Sequence, residues 1–515
     1  MYLTQPLHRA VQQTPDAVST VFGDRTRTFA ETADRVSRLA GALRGLGVGT
    51  GDRVGIYALN SDNYHEYLLA VPWAGAVLTP VNIRWSVAEI SYSLLDSDTR
   101  VLFVDDQFAP VVPALRAEFP DLEHVIHLGD GPTPDGMLAY EELVAGASPV
   151  EDVRRGGGEL AGIFYTGGTT GYPKGVMLSH TNMITSALGS LCTGGFLDRT
   201  TRYLHAAPMF HLADIAAWTA QNQLGGTHIM VPMFDPAVVL ATIEKQRVSH
   251  SLLVPTMVQM MVDHPAAADH DLSSVRGIIY GASPMSEAVL DRAMKRFPSA
   301  DFTQAYGMTE LSPVATLLLP EDHRDPMLKR AAGRAAPHAE VRIVDPDDVE
   351  VPRGTVGEVV SRGAHVMLGY WNKPEETATA LRGGWMHTGD GAYMDERGYI
   401  FVVDRIKDMI VSGGENVYSV EVENAIAKHP AVAACAVIGV PDDEWGERVH
   451  AVVVLADGQE VSEEDLRTHC KDYIAGYKCP RSTEIVDALP MSGAGKILKR
   501  ELRAPYWNGE TRSVG

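Results

Sequence analysis

Short runs of β-branched residues recur between amphipathic stretches through the first three hundred positions, and this alternation limits the chain to few architectures. "DRVGIYAL" is followed by "NYHEYLLAVPWAGAV", then by "RVLFVDD" and, further on, by "HSLLVPTMVQMM". Strand and helix taken in turn imply an α/β arrangement with largely parallel sheets. "RGIIYGASPMSEAVLDRAMKRF" compresses the unit into a strand, a small-residue turn, a Ser286 cap and a helix. Ligands of such sheets bind at turns of this kind. From about Ala339 the texture changes: "AEVRIVD", "GEVVSRG" and "GYIFVVD" read as a small β-rich subdomain. After "VVDRIKD" a compact α+β pattern begins, with "VEVENAIAKHP" and "SEEDLRTHCKDYI" as helices and "VAACAVIGV" and "RVHAVVVLA" as strands.

The expected organisation is therefore a large N-terminal domain over residues 1–404, whose stacked α/β sheets carry the β-rich subdomain at about 339–404, and a small mobile α+β C-terminal domain over 405–515. A length of 515 residues, beyond what one core usually serves, agrees with more than one domain. The formal charge of −22 disfavours nucleic acid or an anionic membrane as partner, so an anionic substrate has to be met by local donors. Four scattered cysteines without a C-x-x-C pair fit a reducing compartment, with neither a disulfide framework nor a zinc site. The N-terminus lacks the basic start and apolar core of a signal peptide, and no apolar run spans a bilayer, so the cytoplasm is the expected location. Oligomeric state stays open between monomer and homodimer.

"YTGGTTGYPKG", Tyr165 to Gly175, gathers glycines, threonines and a lysine into one turn-prone run suited to a phosphate. It is not a Walker A loop, because Lys174 lies between Pro173 and Gly175 and the flanking "LAGIFYT" and "GVMLSH" read as strands. The helix is expected only from about Thr181 or Asn182. The donors left to such a loop are its own N–H groups with Thr166, Thr169, Thr170 and Lys174; an ordinary glycine-rich hairpin fits the pattern about as well. "QAYGMTE" offers Tyr306 to stack on a base, Gly307 for close phosphate approach and Glu310 for a hard cation, although each alone is commonly a packing or solvated residue. Asp390 and Arg405 suit a ribose diol or simply pair with each other. Lys496 follows a glycine-rich turn that would aim it, whereas Lys499 and Arg500 are expected in solvent.

In order and spacing, "YTGGTTGYPKG", "YGMTE", "HTGD", "DRIKDMIVSGGENV" and "GKILKREL" resemble the successive core motifs of the adenylate-forming superfamily, and the resemblance covers nearly the whole chain. "SGGENVYSVEVE" is most similar to the acyl-CoA synthetase version. The chain stops a dozen residues after Arg503, so no attached carrier domain is expected. One departure stands out: Gly167 occupies the place of the family's usual serine.

The resemblance implies an ATP-dependent acyl-CoA ligase that forms an acyl-adenylate and then the thioester, releasing pyrophosphate and AMP. A stand-alone adenylating enzyme serving a separate carrier protein is the alternative, and a non-catalytic nucleotide-binding protein a more distant one. ATP, Mg²⁺ and coenzyme A are the implied ligands. By the same resemblance the loop from Thr166 through Gly167, Gly168, Thr169, Thr170 and Gly171 to Lys174 holds the departing phosphates, Thr309 touches the α-phosphate, and Glu310 ligates the metal. Gly281, Ala282 and Tyr306 frame adenine, Asp390 and Arg405 the ribose, and Lys496 bridges the acid carboxylate and the α-phosphate. The smaller domain turns about Lys407, bringing Gly413 and Gly414 to the pantetheine channel; His211 is its gate, and Trp445 and Lys478 meet the coenzyme A nucleotide. Phe210, His211, Trp218, Gly281, Ala305, Met308 and Ser312 are expected around the acyl group. An apolar monoacid, fatty, branched, alicyclic or aromatic, suits that lining better than an amino acid or dicarboxylate.

Overall fold

The computed structural model describes residues 1–166, 173–193, 197–283, 285–406, 408–412, 415–442, 445–492 and 496–507. Among these, two large sheets carry the N-terminal part. In the first, Asp301–Gly307, Gly277–Gly281, His250–Leu253, Arg202–His205, Thr227–Met230 and Val18–Phe22 run parallel in that spatial order, with antiparallel strands at both edges. In the second, Leu160–Thr166, Val77–Pro80, Arg53–Tyr57, Thr99–Val104 and His124–His127 are parallel neighbours, and Lys174–Ser179 pairs antiparallel with Leu160–Thr166. The glycine-rich run thus joins two strands, as its flanks imply.

The helix after it starts at His180, earlier than the Thr181 or Asn182 expected. Ser179 accepts from Asn182 N at 3.1 Å while the Asn182 side chain accepts from Ser179 N at 2.7 Å, a reciprocal cap that fixes the start. Ser286 caps helix Glu287–Arg296 as its sequence suggests. Helix Asp62–Ala74 touches strands of both sheets, and every one of its residues is buried, although "NYHEY" looks half polar. Its carboxylates are neutralised from a distance. Arg35 donates to Glu66 at 2.7 Å, Tyr140 donates to the same carboxylate at 2.5 Å, and Arg25 meets Asp62 at 2.9 Å. Burying charge is tolerable when it is paired and hydrogen-bonded in this way.

The β-rich subdomain is an antiparallel sheet of Glu340–Val344, Gly357–Arg362, Met386–Met394 and Ile400–Arg405. Beyond it, Val432–Asp442 and Gly446–Leu455 form a long antiparallel ladder, joined by Ile410–Ser412, Glu415–Val417 and Ser482–Ile485 and backed by helices Ser419–Ile426 and Glu463–Lys471. This smaller domain packs across the larger one. Arg84 Nη1 donates to the Ser492 carbonyl at 3.1 Å and Gln259 Nε2 to that of Ala433 at 3.0 Å. No helix among the described residues is long and apolar enough to cross a membrane.

Candidate active site

A continuous cavity of about 2150 Å³ runs between the domains and into the larger one. The strand ends that border it explain two glycines. A Cβ on Gly281 would stand 2.1 Å from the Ala305 carbonyl oxygen, and one on Gly307 1.8 Å from that of Pro313. Both gaps are backbone to backbone, so neither can relax by a side-chain rotation. Ala282 follows with φ +66°, a left-handed conformation at a turn facing the cavity.

Asp390 is held by two donors from different strands. Tyr306 donates its phenol to Oδ2 at 2.8 Å and Arg405 Nε reaches Oδ1 at 2.7 Å. Arg405 lies directly opposite Asp390 in the antiparallel ladder. The pairing considered from sequence is therefore real, and it leaves Tyr306, Asp390 and Arg405 on one cavity wall. Ladder pairing fixes Asp390 and Arg405 opposite each other by main-chain register, and Tyr306 meets them from the other sheet.

Glu310 sits in the short helical turn Thr309–Leu311 and is 6 % exposed. Burial raises its pKa, while the Tyr370 hydroxyl, donating to Oε1 at 2.8 Å, opposes that effect, as do the charges of Arg405 and Lys496. The Tyr370 ring lies 5.2 Å beneath Lys174 Nζ, so one tyrosine links the lysine of the glycine-rich run to the carboxylate. Thr166 and Thr309 line the same cavity. A carboxylate this buried is favoured by a cation beside it, and Mg²⁺ is typically held by one or two carboxylates together with substrate phosphates. Glu310 fits that role.

Lys496 enters the cavity from the smaller domain. Two short segments pair beside it: Ser492 N donates to the Lys496 carbonyl at 2.7 Å, Lys496 N to Ser492 Oγ at 3.0 Å, and Leu498 N to the Pro490 carbonyl at 2.8 Å. Burial pushes the ammonium below the ordinary lysine range and Arg405 adds to the shift, whereas Asp390 and Glu310 pull it back. His211 also faces Lys496; burial, with this charge added, holds its imidazole down at about 4, so it is neutral near pH 7. The His211 ring caps helix Leu212–Leu224 by accepting from Ala213 N at 3.2 Å.

Phe210, His211, Gly281, Ala305 and Met308 border the cavity, but two residues expected beside them do not. Trp218 points to the far side of its helix and donates to His65 Nδ1 at 2.9 Å. The helical period explains it: Ala213, Ala216, Ala217 and Ala220 form the cavity-facing stripe, which leaves Trp218 on the opposite face. Ser312 turns its hydroxyl to the His365 carbonyl at 2.7 Å and is likewise shut off.

Lys478 lines the cavity while ion-paired to Glu421 at 2.8 Å. Trp445 lies outside it, beneath Arg481 at 4.1 Å and beside Gly446, which pairs with Ser412. Lys499, expected in solvent, is instead paired with Glu423 at 2.7 Å and donates to Ser419 Oγ at 2.5 Å; Arg500 is exposed. Gly167, Gly168, Thr169, Thr170, Gly171, Lys407, Gly413 and Gly414 lie outside the described residues. Sequence reasoning overlooked Tyr370 and Arg84, each joined to the site through residues far away in the chain.

Comparison with known proteins adds to this geometry. A family model described as AMP-binding enzyme matches residues 7–371, and one described as AMP-binding enzyme C-terminal domain matches residues 421–496. The chain is 41 % identical to a feruloyl-CoA synthase of Amycolatopsis sp over 97 % of its own length and 98 % of that protein's. It is 37 % identical to the fatty acid–[acyl-carrier-protein] ligase ScoC of Streptomyces coeruleorubidus over 99 % and 98 %. Among solved structures, the anthranilate CoA ligase AuaEII in complex with anthranoyl-AMP superposes with a TM-score of 0.92 at 27 % identity, covering 98 % of this chain and 97 % of that one.

Proposed function

Because the chain belongs to the AMP-binding enzymes, the adenylate-forming superfamily of acyl-CoA ligases, we propose that it joins an apolar carboxylic acid to coenzyme A at the expense of ATP. One observation carries the reading: Lys496, from one domain, shares a single cavity with Glu310, Asp390 and His211 of the other.

A carboxylate is a poor acyl donor, since its leaving group would be oxide. In the proposed first step a carboxylate oxygen attacks the α-phosphorus of ATP and the bond to the β-phosphate oxygen breaks, giving acyl-AMP and pyrophosphate. In the second, the coenzyme A thiolate attacks the acyl carbon and AMP leaves. Both steps are governed by positioning and charge.

Lys496 is suited to stand between the incoming carboxylate and the α-phosphate, with Thr309 on the same phosphate. Its desolvated ammonium, offset in part by Asp390 and Glu310, would gain further stabilisation from substrate anions, as expected for a group delivered by a moving domain. Asp390, held by Tyr306 and Arg405, has the geometry to accept from a ribose diol, and Gly281 and Ala282 border the place for adenine. Mg²⁺ at Glu310 would neutralise phosphate charge when bound. The run from Thr166 to Lys174 is suited to the leaving pyrophosphate. The segment containing Gly413 and Gly414 would face the site only after the smaller domain turns about Lys407, with His211 at the channel, Lys478 at its mouth and Trp445 close to the nucleotide.

The acid is proposed to be an apolar monoacid. Ala213, Ala216, Ala217, Ala220, Leu252 and Ile279 line its end of the cavity, and among these described residues there is no cation for a second carboxylate and no acid for an amino group. A feruloyl-CoA synthase at 41 % identity favours an aromatic acid within that class. Similarity to ScoC keeps a second reading in view, in which the acyl group passes to a carrier protein.

Incubation with ATP, Mg²⁺, coenzyme A and a panel of acids should give acyl-CoA and AMP. Formation of ADP would refute the adenylate route. Acid-dependent pyrophosphate exchange without a coenzyme A product would favour the carrier reading.

A further inference from the structure

The two ends of the glycine-rich run are tied to a carboxylate that does not line the cavity. Thr166 and Lys174 face each other in the antiparallel ladder, and Tyr165 and Gly175 form the next pair. The Tyr165 ring lies over Gly175, where a Cβ would stand 3.0 Å from the ring's Cζ and 2.7 Å from Ile163 Cγ2. The Tyr165 hydroxyl donates to Asp96 Oδ2 at 2.6 Å. Asp96 is the last residue of helix Val87–Asp96 and, unlike Tyr165 and Thr166, is absent from the cavity wall.

Asp96 also holds the far side of the same frame by its main chain. Its carbonyl accepts from Trp371 Nε1 at 2.8 Å and from Asn372 Nδ2 at 3.2 Å, while Trp371 N donates to the Gly175 carbonyl at 2.7 Å. The contacts close a ring from Asp96 to Tyr165, Gly175, Trp371 and back. Tyr370, next to Trp371, lies under Lys174 and donates to Glu310. Tyrosine–carboxylate pairs occur elsewhere, as in Tyr399 with Asp322 at 2.6 Å, but that hydroxyl meets no residue of the run. Ser97 also faces the Tyr165 hydroxyl, yet its own is engaged with the Ser93 carbonyl at 2.6 Å and the Thr99 hydroxyl at 2.7 Å. A run this rich in glycine is conformationally free, and its donors help a ligand only when they are aimed.

We propose that Asp96 is a positioning residue for the β- and γ-phosphates of ATP, its carboxylate acting through Tyr165 on the ends of the glycine-rich run. The assignment rests on the reading that this run receives the leaving phosphates. It deepens that reading by separating the phosphate end of the nucleotide site, which depends on Asp96, from the ribose and adenine end, which does not.

The test uses the full chain and calorimetric binding of two nucleotides with Mg²⁺: α,β-methylene-ATP, which carries all three phosphates, and AMP, which lacks the outer two. Asp96→Ala removes the acceptor of Tyr165 and keeps the main-chain carbonyl. Its Kd for α,β-methylene-ATP should rise roughly tenfold or more, the scale for losing a group that orients a ligand-binding residue. The Kd for AMP should stay at the wild-type value, which a general loosening of the protein would not allow. Tyr165→Phe, which leaves the ring over Gly175, should reproduce the effect, and the double variant should be no worse than either single one. Asp96→Asn keeps an oxygen acceptor and should restore the wild-type Kd; with Tyr165→Phe it carries the test if the alanine variant does not fold. Equal weakening for both nucleotides, unchanged binding of α,β-methylene-ATP, or an Asp96→Asn variant as poor as the alanine one would overturn the assignment. So would a wild type that binds the two nucleotides alike. The expected differences without any coenzyme A product from ATP and the acid panel would instead refute the coenzyme A reading and leave the Asp96 assignment standing, whereas a wild type that binds neither nucleotide would overturn both.

Discussion

Arg405 and Asp390 face each other across an antiparallel ladder, Nε to Oδ1 at 2.7 Å, while Tyr306 holds the other carboxylate oxygen at 2.8 Å. The acceptor proposed for the ribose is thus fixed by main-chain register. Asp390→Ala removes it and leaves a guanidinium and a phenol without their anion. The KM for ATP should rise about 10- to 100-fold, the range for losing a charged hydrogen-bond partner. Steady-state kinetics with ATP varied is the check, and a change confined to the acid KM would contradict the placement.

Lys496 is held by its main-chain and side-chain hydrogen bonds with Ser492 and reaches the cavity from the smaller domain. In Lys496→Ala, acid-dependent pyrophosphate exchange should fall about 100-fold or more, as for removal of a preorganised charge at a transition state. Thioester formation from synthetic acyl-adenylate should change little, because in the proposed rotation that lysine would leave the site. Equal loss in both half-reactions would exclude two orientations. Burial lowers the pKa of this ammonium, so the alkaline loss of exchange should occur below the ordinary lysine value of 10.5. Its sign follows from the charge: raising pH removes the proton that does the work.

Tyr370 bridges Lys174 and Glu310 by its ring and its hydroxyl. Tyr370→Phe keeps the ring under the lysine and removes the carboxylate's side-chain donor. The expected result is a higher Mg²⁺ requirement with roughly tenfold lower kcat/KM, the scale of a hydrogen bond to a charged group. Titration of activity with Mg²⁺ at saturating ATP measures it; an unchanged curve would remove Glu310 from the metal's surroundings.

Four buried histidines set an acid limit on stability. Burial holds His65 and His365 down at about 3 and His180 and His250 at about 4, against an ordinary value of 6.5. Folded imidazoles stay neutral where unfolded ones take up a proton, so stability is full above about pH 6.5 and falls as pH drops from there toward 4. Each histidine contributes a slope of about 1.4 kcal/mol per pH unit in that window. Urea denaturation at pH 7, 6 and 5 reports the slope, and a flat profile would mean that these rings are solvated.

Local patterns revealed much of this molecule. The parallel sheets, the strand-flanked glycine run, the Ser286 cap and the β-rich subdomain all follow from residues within a few positions of each other. What escaped depends on partners distant in sequence. The complete burial of helix Asp62–Ala74 relies on Arg25, Arg35 and Tyr140, and the pairing of Lys499 relies on Glu423. Trp218 was misplaced because composition marks a segment as pocket-like without giving its helical phase.

Arg84 and Gln259 both cross from the larger domain to a carbonyl oxygen of the smaller one, at Ser492 and Ala433. A main-chain acceptor is the same whatever residue carries it. Substitutions at Ser492 and Ala433 therefore leave both of these acceptors in place, although at Ser492 the hydroxyl that holds Lys496 N would be lost. On the smaller domain's side, a change in backbone path, such as an inserted residue, would move the acceptors away from Arg84 and Gln259.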